Sequence, residues 1–127
     1  THTLKLNAGA KTLIVTADRQ RIEQVIINLL SNAIKYSPGG RSVDISVSEN
    51  DGKALISVRD FGLGISKDQQ ERIFNRFYRV EDMAVHISGL GIGLFISKEI
   101  IIRHGGRLWV ESEEGKGSVF FFEIPLG

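Results

Sequence analysis

The stretch Asp18–Lys35, DRQRIEQVIINLLSNAIK, decides the fold. It opens with Asp18, a favoured N-cap residue, and Ser37-Pro38-Gly39-Gly40 just beyond it stops any helix. Between these signals apolar residues recur at helical spacing: Ile22, Val25, Ile26, Leu29, Leu30, Ala33 and Ile34. We therefore predict one long amphipathic helix whose apolar face covers a sheet. Because Ile27 lies on its outer side, we expect no side of this helix to face only solvent.

Strand and helix signals follow one another on both sides of this helix. The predicted strands are 3–7, 12–17, 43–47, 55–58, 107–113 and 118–124, with a hairpin signal at Asn50-Asp51-Gly52. A second helix is predicted to open at Ser66 and to end in the apolar residues Ile73, Phe74, Phe77 and Tyr78. A third, from Gly91 to about His104, is apolar nearly all round and is predicted to be buried. The predicted fold is α+β: a two-layer α/β sandwich with a mixed sheet of about five strands on three helices.

Length and composition narrow the class of protein. The 127 residues fit one domain, 1–127. Lys plus Arg (16) nearly balance Asp plus Glu (15), which argues against nucleic acid or an anionic membrane surface as a direct partner. Cysteine is absent, so disulfides and thiolate metal sites are excluded. With no apolar run of about 18 residues and no signal peptide, we expect a cytoplasmic location. Because the sequence opens in a strand-like pattern without a starting Met, we expect a fragment of a longer protein.

A polar stripe runs along the first helix beside its apolar face. Asn28, Asn32 and Lys35 fall on it, about one turn apart. The amide oxygens suit Mg²⁺, and the ammonium suits a phosphate. A solvated helix edge would show the same pattern, so the stripe alone does not decide between these interpretations.

Two glycine-rich segments add candidate binding loops. In Asp60-Phe61-Gly62-Leu63-Gly64-Ile65, a carboxylate at a strand end can accept from an exocyclic amine while the glycines admit a flat ring. A turn in which Asp60 bonds locally is the alternative. In Ser88-Gly89-Leu90-Gly91-Ile92-Gly93-Leu94, free N–H groups at a helix start would face phosphates. A dinucleotide fold and a P-loop are excluded, because the preceding strand and the Lys-Ser/Thr pair are missing.

Taken in order, five motifs resemble those of the catalytic and ATP-binding domain of sensor histidine kinases, in the GHKL ATPase superfamily. Residues 28–37 resemble the N box, 60–65 the G1 box, 73–79 the F box, 89–94 the G2 box and 115–118 the last glycine motif. The resemblance covers essentially the whole chain. It implies a Bergerat-type sandwich with a mobile ATP lid at about 80–93.

The resemblance also implies roles for individual residues. Asp60 would accept from the adenine amino group, Asn28 and Asn32 would hold Mg²⁺, and Lys35 and Arg79 would steady the phosphates. The implied catalytic residues are Asn28, Lys35 and Arg79. The implied ATP-binding residues are Asn28, Asn32, Lys35, Tyr36, Asp60, Gly62, Gly64, Ile65, Arg79, Gly89, Leu90, Gly91, Gly93 and Leu94. Two departures are Arg59, where some relatives carry glycine, and Phe121, at a strand position often held by Thr, which we expect to alter how closely the base is held.

The residue type at position 28 helps to distinguish phosphate transfer from ATP hydrolysis. Related ATPases carry a Glu there as general base, and a carboxamide cannot take that role. We therefore expect transfer of the γ-phosphate rather than hydrolysis. None of His2, His86 and His104 fits the phosphoacceptor; His104 fits a helix C-terminal cation or cap.

The implied acceptor is a dimerisation and histidine phosphotransfer domain of the same protein. The implied parent protein is a homodimer anchored in a bacterial inner membrane, which acts indirectly on a response regulator. Two alternatives stay open. One is a degenerate regulatory module that binds nucleotide or a partner without transfer. The other is a serine kinase acting on an anti-sigma partner.

Overall fold

The computed structural model describes residues 2–9, 11–35, 42–75 and 93–127, without the side chains of His2 and Lys35. The described helices and strands follow one another along the chain in the order predicted. The strands are β1 (His2–Ala8), β2 (Lys11–Ala17), β3 (Asp44–Asn50), β4 (Lys53–Asp60), β5 (Arg107–Glu113) and β6 (Gly117–Pro125). The helices are α1 (Arg19–Lys35), α2 (Lys67–Gln70) and α3 (Gly93–Arg103).

The strands form two sheets in the described part of the chain. β1 and β2 pair as an antiparallel hairpin, and the other four strands pair in the order β3-β4-β6-β5. The Asp51-Gly52 turn between β3 and β4 has φ of 52° and 75°, the left-handed values that a two-residue hairpin turn requires. The Lys11 ammonium contacts the Glu49 carboxylate and ties the small sheet to β3.

The prediction of one mixed sheet of about five strands is wrong in detail, since the described strand pairs are all antiparallel. A helical connection such as the one from β4 to β5 commonly joins parallel neighbours. The two strands do run in the same direction, but β6 folds back from β5 and inserts between them. The tight β5–β6 hairpin therefore converts an expected parallel pairing into two antiparallel ones.

The core lies between the helices and one face of the sheets. Alternate residues of β4 face it (Ala54, Ile56 and Val58), and Phe120, Phe122 and Ile124 of β6 extend the same layer. From the helical side, α1 contributes Ile22, Val25, Leu29 and Ala33, and α3 contributes Ile100 and Ile101. This layer of strands under helices confirms the predicted α+β sandwich.

The apolar face of α1 is narrower than predicted. Asp18 caps the helix, its Oδ1 accepting from the backbone N of Arg21 at 3.3 Å, as expected. Ile34, however, is 67% exposed, and Ile27 on the outer side is 60% exposed. The prediction that no side faces only solvent is therefore wrong. Four buried positions at spacings of three and four already fill the width of the contact.

The second helix is shorter than predicted. Ser66 caps it, its hydroxyl accepting from the backbone N of Gln69 at 3.3 Å. Tight turns then replace the helix up to Asn75, with the backbone N of Arg72 bonded to the carbonyl of Gln69, three residues back. Phe77 and Tyr78 lie outside the described residues.

The third helix is described from Gly93 onward. One face of it is buried, but Ile102 is 51% exposed, so the expectation of burial all round is wrong. Among the described residues, no helix is both long and apolar enough to cross a lipid bilayer.

Candidate nucleotide site

Asp60 ends β4 on the face of the sheet that the helices cover. Burial alternates along β4, and Asp60 continues the row of Ala54, Ile56 and Val58. It is only 3% exposed. A carboxylate has therefore been placed at the edge of an apolar layer, where a partner that donates hydrogen bonds would be bound most strongly.

The chain after β4 turns back onto the Asp60 side chain. The backbone N of Gly62 donates to Asp60 Oδ1 at 3.0 Å. Burial raises the pKa of Asp60, and hydrogen bonds from the backbone of Gly62 and Ser118 partly offset that rise. The local turn bond expected under the alternative interpretation is therefore present, and it also fixes the orientation of the carboxyl group.

A network of side chains holds the 61–65 loop on the β5–β6 hairpin. The Ser112 hydroxyl accepts from the backbone N of Ile65 at 2.8 Å and donates to the carbonyl of Gly117 at 2.9 Å. It also lies 2.7 Å from the Ser118 hydroxyl. Gln70 Nε2 donates to the carbonyls of Ile65 and Ser112 at 2.7 and 3.0 Å. The loop that follows Asp60 is thus fixed from both sides.

Close backbone packing explains two of the glycines. Gly64 has φ of +74°, and a Cβ there would lie 2.1 Å from the Glu113 carbonyl oxygen. Gly117 has φ of +98°, and a Cβ there would lie 2.2 Å from the Asp60 carbonyl oxygen. We expected the glycines of the 60–65 segment to admit a ligand. At Gly64, the backbone of the β5–β6 hairpin leaves no room for a side chain, so packing within the chain already requires glycine.

Asn28 joins α1 to the start of α3. Its Nδ2 donates to the Ser97 hydroxyl at 3.1 Å and to the carbonyl of Gly93 at 3.4 Å. Ser97 is fully buried. Asn32 lies one turn further along α1 and is half-buried. At Asn28 the polar stripe is therefore a contact between two helices rather than a solvated edge. This contact lies beside the start of α3, where the sequence analysis expects phosphate.

The family model of the histidine kinase-, DNA gyrase B- and HSP90-like ATPases matches residues 17–127. The chain belongs to this ATPase family. It is 43% identical over 122 residues to the sensor histidine kinase WalK of Bacillus subtilis (strain 168), which covers 94% of the chain and 20% of WalK. The resemblance to the ATP-binding domain of sensor histidine kinases is confirmed.

Solved structures of the family agree in fold. The catalytic domain of the histidine kinase ThkA, in a nucleotide-free form, superposes with a TM-score of 0.76 at 39% identity, covering 89% of this chain and 72% of that one. Full-length ShkA in complex with AMPPNP gives 0.79 at 33% identity, covering 91% of this chain and 23% of that one. The chain thus spans about a fifth of WalK and a quarter of ShkA.

The structure describes some of the remaining predicted site residues and not others. Ile65 is buried in the core and Leu94 packs partly against it, while Gly62 is half-buried beside Asp60. The Lys35 side chain lies outside the described residues, as do Tyr36, Arg79, Gly89, Leu90, Gly91 and positions 80–92 of the predicted lid. The structure brings Asp60 together with Gly62 and Ser118, and Asn28 with Gly93. The convergence of these two groups on one nucleotide stays a prediction.

His104 caps the C-terminal end of α3, as the cap interpretation predicted, and it also bonds to the start of α1. Its Nε2 accepts from the backbone N of Asp18 at 3.0 Å, and its Nδ1 lies 2.7 Å from the carbonyl of Ile100. The sequence placed His104 correctly at a helix end, but spacing alone could not show that the start of α1 lies opposite.

Phe121 lies on the sheet face opposite the helices. Its ring stacks on Trp109, with centroids 5.1 Å apart, and its backbone is paired with Ser57 rather than Asp60. Because it points away from the layer that holds Asp60, the expectation that Phe121 alters how closely the base is held is wrong. The hydroxyl residue of β6 that pairs with Asp60 is Ser118. Arg59 is also on the outer face, with its guanidinium 4.9 Å from the Phe61 ring centroid.

Three polar residues that build the site were missed by the sequence analysis: Gln70, Ser97 and Ser112. Ser118 lies in the recognised 115–118 motif, but no role was assigned to it. Ser97 carried a usable signal, because it is a hydroxyl one turn after Gly93 in an otherwise apolar run. Ser112 carried none, since polar residues alternate in any half-exposed strand.

Proposed function

We propose that this domain binds Mg²⁺-ATP and transfers the γ-phosphate to a histidine on a separate dimerisation and phosphotransfer domain of the same protein. The observation that carries the proposal is the carboxamide of Asn28, held at the start of α3 where related ATPases have a carboxylate base. A carboxamide cannot deprotonate an attacking water. The γ-phosphate is then retained for another acceptor.

The donor set fits Mg²⁺. Hard cations take oxygen ligands, and Asn28 has its amide nitrogen engaged on α3, which leaves its oxygen to coordinate. Asn32, half-buried and one turn away, supplies a second amide oxygen. Bound there, the metal would neutralise phosphate charge. Among the described residues, no group of three or more His, Cys, Asp or Glu could hold a metal instead.

The nucleotide is oriented by this chain's own residues in the proposed complex. Asp60 accepts from the adenine amino group, with Gly62, Gly64 and Ile65 beside the base. Lys35 and Arg79 steady the phosphates, and the backbone of the 89–94 segment contacts them. In the transfer, the bond between the γ-phosphorus and the β–γ bridging oxygen breaks as a histidine nitrogen bonds to phosphorus. ADP leaves, and an acidic neighbour of the acceptor takes the histidine proton.

The proposal extends to the parent protein through its relatives. WalK is named a sensor histidine kinase, and ShkA was solved with an ATP analogue. We propose a homodimeric parent anchored in a bacterial inner membrane that acts on a response regulator. This domain would work on its cytoplasmic side.

Labelling with γ-³²P-ATP tests the proposal. The chain alone should not label itself, and a supplied cognate acceptor domain should label on histidine. Asn28→Ala should reduce that labelling about 100-fold or more while retaining much of the ADP binding in EDTA. Asn7→Ala, on an exposed strand residue, is the matched control and should label normally.

Two outcomes would contradict the proposal. Nucleotide binding without any labelling of the acceptor would favour a regulatory module. Label that survives acid but not alkali would indicate phosphoserine, and so a serine kinase.

A further inference from the structure

The orientation of the Asn28 amide is determined by α3. A carboxamide is nearly symmetric in shape, but its two ends are opposite in polarity. The two groups that Asn28 meets on α3 are the Gly93 carbonyl and the Ser97 hydroxyl, one helical turn apart. The carbonyl can only accept, so the amide nitrogen must face α3 and the amide oxygen must face away.

Ser97 is a buried polar residue in an apolar setting. It is 0% exposed, and Ile100 and Ile101 on the same helix are also buried. A buried hydroxyl is costly unless it is hydrogen-bonded. Its hydroxyl lies 3.1 Å from Asn28 Nδ2, whereas the Gly93 carbonyl lies 3.4 Å away, so Ser97 makes the shorter of the two bonds.

Loss of this acceptor would leave the amide weakly held. With only the longer bond to Gly93 remaining, the amide would rotate more freely, and its nitrogen would at times face the direction that the oxygen had faced. An N–H group directed at a cation is repelled, whereas a carbonyl oxygen coordinates it. The hydroxyl at position 97 therefore reinforces the orientation that the Gly93 carbonyl sets, with the amide oxygen directed away from α3.

We propose that Ser97 is a positioning residue that holds the amide nitrogen of Asn28 on α3 and so keeps the amide oxygen available to Mg²⁺. The inference rests on the proposed function, in which Asn28 is a metal ligand. Ser97 acts only through Asn28. Groups that orient metal ligands typically change metal affinity or activity about 10- to 100-fold when removed.

Calorimetric titration of the chain with ADP, in EDTA and over a series of Mg²⁺ concentrations, tests this role without any phosphotransfer. Ser97→Ala should raise the Mg²⁺ concentration needed for half-maximal enhancement of ADP affinity about 10-fold. Its ADP affinity in EDTA should match the wild-type value. Ser97→Thr, which keeps the hydroxyl, should restore the Mg²⁺ response.

Two further variants separate positioning from stability. Ile101→Val removes one buried methyl group from the same helix, lowers the Tm, and should leave the Mg²⁺ response unchanged. Ser97→Cys keeps most of the side-chain volume with a weak acceptor, and should show the defect even if Ser97→Ala fails to fold.

A wild-type Mg²⁺ response in Ser97→Ala or Ser97→Cys would overturn the inference, as would equal losses of ADP affinity with and without Mg²⁺. Absence of any Mg²⁺ enhancement in the wild-type chain would also overturn it. Failure of the labelling experiment with a normal Mg²⁺ response would instead count against the proposed phosphotransfer alone.

Discussion

Asp60 combines a cost to folding with the role of adenine acceptor in the proposed function. Its carboxyl group is buried at a strand end, and burial raises its pKa. A carboxyl group whose pKa is raised by folding binds its proton more tightly in the native state. Its contribution to stability is therefore fully present at low pH and is lost as pH rises through the native pKa.

Asp60→Asn should separate these two effects. The amide oxygen of the substituted side chain can still accept from Gly62, so the loop should persist. The free energy of unfolding of the wild type, relative to the variant, should fall as pH rises above the ordinary carboxyl pKa of 3.8 and level off above the native pKa. Urea unfolding over a pH series from about 4 to about 8 measures this.

The same variant should bind ADP about 10- to 100-fold more weakly at neutral pH, because an amide nitrogen would face the adenine amino group. Asp44→Asn, at an exposed strand position, should change neither quantity. Equal ADP affinities in Asp60→Asn and wild type would remove the adenine assignment.

At the scale of elements, α1 and α3 are bonded to each other at two levels. Asn28 meets Gly93 and Ser97 at the start of α3, and the backbone N of Asp18 meets His104 just after its end. The lower numbers of α1 face the higher numbers of α3, so the two helices are antiparallel. The polar groups that join them flank an apolar contact, which fixes the register of one helix against the other.

His104→Ala should remove the hydrogen bond that joins the end of α3 to the start of α1. The backbone N of Asp18 would lose its acceptor in a half-buried position, and we expect a loss of about 1–2 kcal/mol in the free energy of unfolding. Chemical denaturation at neutral pH measures it. Arg103→Ala, at the exposed neighbouring position, should cost less than about 0.5 kcal/mol. A His104→Ala variant as stable as that control would contradict the bridging role.

The sequence predicted elements better than the contacts between them. Periodicity located α1, and alternation located the strands, because both patterns are local. The insertion of β6 between β4 and β5 is a tertiary outcome that no local pattern encodes. For the same reason, the partners of Ser97 and His104 on α1 could not be predicted, although the glycine and asparagine motifs were recognised.

At the scale of the whole molecule, the fold brings two polar sites to the boundary of one core. One is Asp60 with its loop, at the end of β4. The other is Asn28 with the start of α3. Asp60 lies on the face of the sheet that the helices cover, and Asn28 lies where α1 meets α3. In the proposed complex the adenine is bound at the first site and the phosphates at the second. The proposed function depends on both sites binding the same nucleotide.

A crystal structure of this chain with Mg²⁺ and a non-hydrolysable ATP analogue tests that claim most directly. We expect the adenine amino group within about 3 Å of the Asp60 carboxylate, and Asn28 Oδ1 coordinating the metal on the same nucleotide. A nucleotide bound at only one of the two sites, or with its metal held by other residues, would contradict it.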